Sequence, residues 1–96
     1  MRIFLLILIF SISSCCNSEK IPANIKALYS SSSNEKNNAA LALASCGSKA
    51  ANAVPRLAEL IYDPNVGIQS SAAYALRKID TPRAREVLDR AEKARK

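Results

Sequence analysis

The sequence contains no histidine, no tryptophan and only two glycines. Without histidine there is no Ser-His or Cys-His catalytic pair and no histidine-bearing zinc site. Two glycines cannot build a Gly-rich loop that cradles phosphate. Aromatic residues make up only 5% of the chain, whereas apolar residues of all kinds make up 49%. Alanine is the commonest of these, a composition that suits closely packed helices better than a sheet. With 96 residues there is room for one small core and no second domain. This inventory predicts a protein that is not an enzyme, with no catalytic residues, no cofactor and no metal.

The longest apolar run is also short. Met1-Arg2 is followed by "IFLLILIFSI", a run of about ten residues behind a positive start. A permanent membrane span needs roughly 18 to 20 residues, so this reads as a signal peptide. At its end Ile12-Ser13-Ser14-Cys15 resembles the bacterial lipobox: an aliphatic residue at −3, small residues at −2 and −1, then the cysteine that receives lipid. The resemblance implies cleavage before Cys15, thioether attachment of diacylglycerol and acylation of the new N-terminus. It predicts 1–14 as lipoprotein signal peptide, 15–20 as lipidated tether and 21–96 as the folded domain. The chain would then sit in a bacterial cell envelope, anchored to a membrane and facing the periplasm or the exterior. Ser11-x-Ser13 is an alternative cleavage site that would release a soluble protein. In an oxidising envelope, Cys16 and Cys46 are the two thiols left to pair.

From Ile21 onward the chain repeats at an offset of 33. "IPANIKALY" (21–29) and "VPRLAELIY" (54–62) share an aliphatic-proline opening and a closing tyrosine. Ala39-Ala40 matches Ala72-Ala73, Ala42 matches Ala75, and Leu43 matches Leu76. An internal repeat of this length is one supersecondary unit. Ser32-x-x-Glu35 is a capping box opening a helix over about 33–46, with Ala39, Ala42, Leu43 and Cys46 inward and Gly47 as its stop. The next helix is expected from near Ala51, with Val54, Leu57, Ala58 and Ile61 as its stripe. Pro55 then falls close to its first turn, where a missing amide costs nothing. Asn65 caps a helix with Ile68, Ala72, Ala75, Leu76 and Ile79 inward. Thr81-Pro82 opens a last one with Ala84, Val87, Leu88 and Ala91 inward. Cys46 stands in register with Ile79, and a buried small apolar side chain is its simplest reading.

"DPNVGIQSSAAYALRKID" resembles the first helix, and "KAANAVPRLAELIYD" the second helix, of a short HEAT-like repeat of the kind also found in bilin-lyase-related proteins. The resemblance covers 21–96 as a half repeat followed by two repeats. It implies an all-α fold, a short α-solenoid of about five antiparallel helices. Gln69 stands where the family usually has arginine, Glu35 where a branched apolar residue belongs, and Asp80 where glycine is usual. Those departures touch the usual arginine-to-aspartate ladder but not the packing stripe.

The last twenty residues hold eight of the fourteen basic residues and four acidic ones. Glu86 with Arg90, Asp89 with Lys93 and Glu92 with Lys96 are i, i+4 pairs in the favourable order, as a solvated terminal helix would carry. With an export signal, the positive balance suits an anionic membrane surface better than nucleic acid, and no nucleic-acid partner is expected. The expected function is a membrane-anchored scaffold or adaptor that binds another envelope protein along the ridge of its second helices. Register places Lys26, Arg56, Glu59, Arg85 and Asp89 on that ridge, with Arg56 and Arg85 as the foremost contacts. So few repeats predict completion by self-association or by the partner. The alternatives are a lyase-like accessory protein for chromophore or cofactor attachment and, without export, a basic nucleic-acid-binding helical module.

Overall fold

A computed structural model describes residues 16–95, so the expected signal peptide and Cys15 lie outside the described residues. Five α-helices follow one another: α1 (Ile21–Ala27), α2 (Ser33–Ala44), α3 (Val54–Leu60), α4 (Val66–Ile79) and α5 (Pro82–Arg95). A 3-10 turn, Ser18–Lys20, precedes α1, and a 3-10 stretch, Gly47–Ala53, leads into α3. There is no strand among the described residues, and the fold is an all-α solenoid. None of the described helices is long and apolar enough to cross a membrane.

The helix starts follow their caps. Ser32 accepts from the Glu35 amide at 3.3 Å, Asn65 from the amides of Gly67 and Ile68 at 2.8 and 3.2 Å, and Thr81 from the Ala84 amide at 3.2 Å. The reciprocal arm of the capping box takes a detour. Glu35 does not reach the Ser32 amide; it accepts from the Ser30 hydroxyl, and Ser30 Oγ in turn accepts from Ser32 N–H at 3.0 Å. The serine-rich turn thereby satisfies both orphan donors.

Helix α3 starts three residues later than expected. Pro55 has no N–H to give the carbonyl of Ala51, so a regular helix cannot run through from there. Instead the amide of Val54 bonds Ala51 in the tighter 3-10 pattern, and Pro55 sits in the first turn of α3.

Packing turns these stripes into one core. Helices α2 and α4 lie side by side and parallel. At their starts Asn65 Nδ2 donates to Ser33 Oγ at 3.5 Å, and the Ser71 hydroxyl donates to Asn37 further along. All five expected residues of the α4 stripe are buried, as are Ala39 and Leu43 of α2. Ala42 and Ala58 are only half-buried, and Leu60 takes a core place. Leu28, Leu43, Leu57, Leu76 and Ile79 are the largest fully buried side chains with Val54, each burial contributing roughly 1.5–3 kcal/mol. On α5, Ala84 and Ala91 are buried, whereas Val87 and Leu88 are covered on one side only. No polar or charged residue is buried among the described residues.

Candidate interaction surface

Cys46 is not an unpaired apolar filler. It is half-buried and forms a disulfide with Cys16, with the two Cα atoms 4.7 Å apart and a sequence separation of 30. Register with Ile79 predicts an inward-facing position, and that much holds. What register cannot supply is the partner, because no cysteine stands before the next repeat. The segment 16–20, read as a polar tether, is thus joined covalently to the end of α2 and turns once more before entering α1.

The expected ridge contacts are mostly engaged within the chain. Arg56 is the most constrained: its guanidinium lies 4.4 Å from the centroid of the Tyr29 ring, Nε donates to the Leu28 carbonyl at 3.1 Å, and Nη1 meets Glu59 at 2.7 Å. It fastens the second helix of one repeat to the end of the preceding one. Arg85 Nη1 donates to the carbonyl and the carboxylate of Asp80, both at 2.8 Å, and Asp89 pairs with Lys93 at 3.3 Å. Of the five, Lys26 alone makes no ion pair among the described residues; it lines a shallow groove with Ala23, Ala27, Tyr29, Ser30 and Glu35. Arg90 meets Glu86 at 3.1 Å, as the spacing on the last helix predicts.

The ladder between repeats exists, carried by a different residue. Lys36, in register with Gln69, reaches Asp63 at 3.5 Å, and both side chains are only 16% exposed. Gln69 has no carboxylate to meet. Its amide donates to the backbone carbonyl of the same Asp63 at 2.5 Å. The aspartate therefore takes a cation from the repeat before it and its own repeat's amide at once.

A second groove, of about 330 Å³, opens at the far end of the solenoid between α4 and α5, lined by Ile61, Ala73, Arg77, Leu88, Ala91 and Glu92. The sequence reading missed it, although a signal existed. Ala73 and Arg77 are in register with Ala40 and Ala44, which α4 covers in the preceding repeat. Arginine in place of alanine marks a surface left in solvent. Tyr29 and Tyr62, also in register, are 61% and 62% exposed.

Among the described residues no group of three or more acidic or cysteine side chains is gathered as a metal site would require. No curated protein and no solved structure matches the chain significantly. The family model described as HEAT repeats matches residues 21–94. With paired helices in a 33-residue register and that match over most of its length, the chain belongs to the HEAT repeat family.

Proposed function

We propose that this protein is a non-enzymatic lipoprotein of a bacterial envelope, anchored through Cys15, whose short HEAT-like repeats serve as a scaffold for another envelope protein. The HEAT fold itself supports a helical interaction scaffold. The observation that carries the finer reading is the Cys16–Cys46 disulfide. Structural disulfides form and persist where the surroundings are oxidising, as in the periplasm or outside the cell, and are rare in a reducing cytosol. That condition is the one the lipobox-like Ile12-Ser13-Ser14-Cys15 also demands. The D-P and A-V-P openings favour the short, bilin-lyase-related variety of the repeat.

The partner surface we assign is the second-helix side, where Lys26 and the exposed ring of Tyr29 stand beside the fixed Arg56. Its counterpart in the next repeat is Tyr62. Arg85 and Asp89 extend this ridge on α5, each already drawn into a local ion pair that a partner would have to replace.

Intact mass of the protein from its native membrane fraction tests the anchor. Residues 15–96 plus acyl chains are expected, with loss of the Cys15→Ala variant from that fraction. An unprocessed chain free of lipid sinks the reading. For the scaffold, photocrosslinkers placed at Tyr29 and Tyr62 should trap one defined envelope protein, and crosslinks lost on Lys26→Glu would tie the contact to this ridge.

A further inference from the structure

The disulfide does more than link two cysteines: it fixes which edge of the solenoid carries the N-terminus. Cys46 stands two residues beyond the end of α2, and Gly47 follows it with the left-handed φ of 59°. A Cβ added to Gly47 would lie 3.7 Å from the carbonyl oxygen of Lys78, so the end of α4 is immediately beside it. Cys16 is therefore held at the edge formed by the turns from each first helix to its second. Cys15, the candidate lipid-bearing residue, is its direct neighbour in sequence.

That edge is basic. Lys20, Lys49, Lys78 and Arg83 are all exposed there, and none pairs with a carboxylate among the described residues. Its acids are Glu19 and Asp80, and Asp80 is already occupied by Arg85. At the opposite edge, Lys26 and Lys36 share the turns with Glu35, Glu59 and Asp63, and at the end of α5 Arg90 and Lys93 are paired with Glu86 and Asp89 beside Glu92, so the charges there offset one another. Tyr74, 43% exposed one turn before the end of α4, carries the Lys78 ammonium 5.5 Å from its ring centroid. An aromatic ring supporting a lysine is the pairing found where a protein meets the headgroup layer.

From the anchor position and this asymmetry we infer that the turn edge bearing Lys20, Lys49, Lys78 and Arg83 lies on the membrane and binds anionic lipid headgroups, leaving the opposite edge and the second-helix ridge to the partner. The inference rests on the lipid-anchor reading, because the lipid is what places the edge at the surface. Each cation brought to an anionic surface raises partitioning by roughly fivefold. The several acyl chains expected on Cys15 already hold the protein at the membrane, so what the basic edge adds is the orientation of the solenoid on the surface.

The absence of tryptophan makes a clean test. Single Ser48→Trp and Asn34→Trp variants of the full chain, isolated with their lipid, place a lone fluorophore at the basic edge and at the opposite edge. They are bound to phosphatidylcholine vesicles with or without phosphatidylserine, with a quencher on the headgroups. Strong quenching of Ser48→Trp and weak quenching of Asn34→Trp is expected, with the contrast growing on addition of phosphatidylserine. Adding Lys49→Glu and Lys78→Glu should abolish the contrast while flotation persists and the helical circular dichroism is unchanged. Equal quenching at both sites overturns the proposed edge but leaves the anchor intact. Loss of flotation by the wild type overturns the anchor. A Cys15→Ala protein that still floats on phosphatidylserine vesicles, with Ser48→Trp quenched, upholds the edge without the lipid.

Discussion

Gly47 and Asp80, 33 residues apart, adopt the same left-handed backbone, with φ of 59° and 52°. Each follows the end of a first helix and turns the chain into the second. Glycine enters this region freely, whereas a residue with a Cβ meets a cost of roughly 1–2 kcal/mol, eased for aspartate by local hydrogen bonding. Asp80 has that help: Arg85 grips both its carbonyl and its carboxylate.

Gly47→Ala is therefore expected to lose about 1–2 kcal/mol from strain alone, since the added Cβ meets nothing closer than 3.7 Å. Asp80→Gly should be nearly neutral, and Asp80→Ala should fall between them. Urea denaturation of the three variants checks the order; a neutral Gly47→Ala would show that the turn relaxes out of the left-handed region.

Arg56 and Arg85 separate a structural arginine from a surface one. The Arg56 side chain is 22% exposed and makes a ring contact, a backbone bond and an ion pair together. Lysine cannot reproduce that planar arrangement. Arg56→Lys is expected to cost about 1–2 kcal/mol, with a Tyr29→Ala background removing part of the effect. Arg85→Lys, at 58% exposure, should stay within about 0.5 kcal/mol. Equal losses in thermal unfolding would contradict this division.

The disulfide closes a loop of 30 residues of sequence separation. On the chain-entropy model such a loop contributes about 3–4 kcal/mol, a large share of the roughly 5–15 kcal/mol that holds a domain folded. Melting in the presence of a reductant, or of Cys16→Ser, should occur well below the oxidised protein. An unchanged midpoint would mean that the reduced chain keeps the N-terminal segment in place.

Position along the solenoid sets the cost of losing a leucine. Leu76→Ala, in the fully buried row of α4, is expected to cost about 2–5 kcal/mol. Leu88→Ala, half-covered on α5, should cost less than half as much. Comparable losses, measured by denaturant unfolding, would imply that a second molecule covers α5 in solution, which a fall in the Leu88 effect on dilution would establish.

The Lys36–Asp63 rung should register in a double-mutant cycle. Both partners are sheltered, so a coupling of about 1 kcal/mol is expected, above that of exposed pairs. Gln69→Ala adds a separate loss, because its bond is to the backbone of Asp63 and survives Asp63→Ala. A coupling indistinguishable from zero would leave the ladder without an energetic role.

How much of this could be read beforehand depended on whether a feature is local. Caps at Ser32, Asn65 and Thr81, and the inward stripe of α4, follow from spacing within one helix and were legible. The three-residue delay of α3 was not, because the effect of Pro55 on the Ala51 carbonyl depends on how the preceding chain arrives. Arg56 looked like an outward contact because register fixes the direction of a Cβ and not the reach of a long side chain. Its targets, Leu28 and Tyr29, lie a repeat earlier. Cys46 was legible as inward-facing, but its bond to Cys16 arises from the antiparallel return of α1 along α2, a tertiary fact. The charge of the turn edge was dispersed over sequence positions 20 to 83 and emerged only when the turns were stacked.

The same bond also decides where mechanical load would pass. Tension applied at the N-terminus enters at Cys16 and crosses directly to Cys46, so residues 17 to 45, with α1 and α2 among them, hang outside the path of the force. The short α1 and the serine-rich turn would otherwise be the first to peel. With the bridge in place, pulling bears instead on Gly47 and the repeats beyond it, where α4 holds the best-buried row of the core.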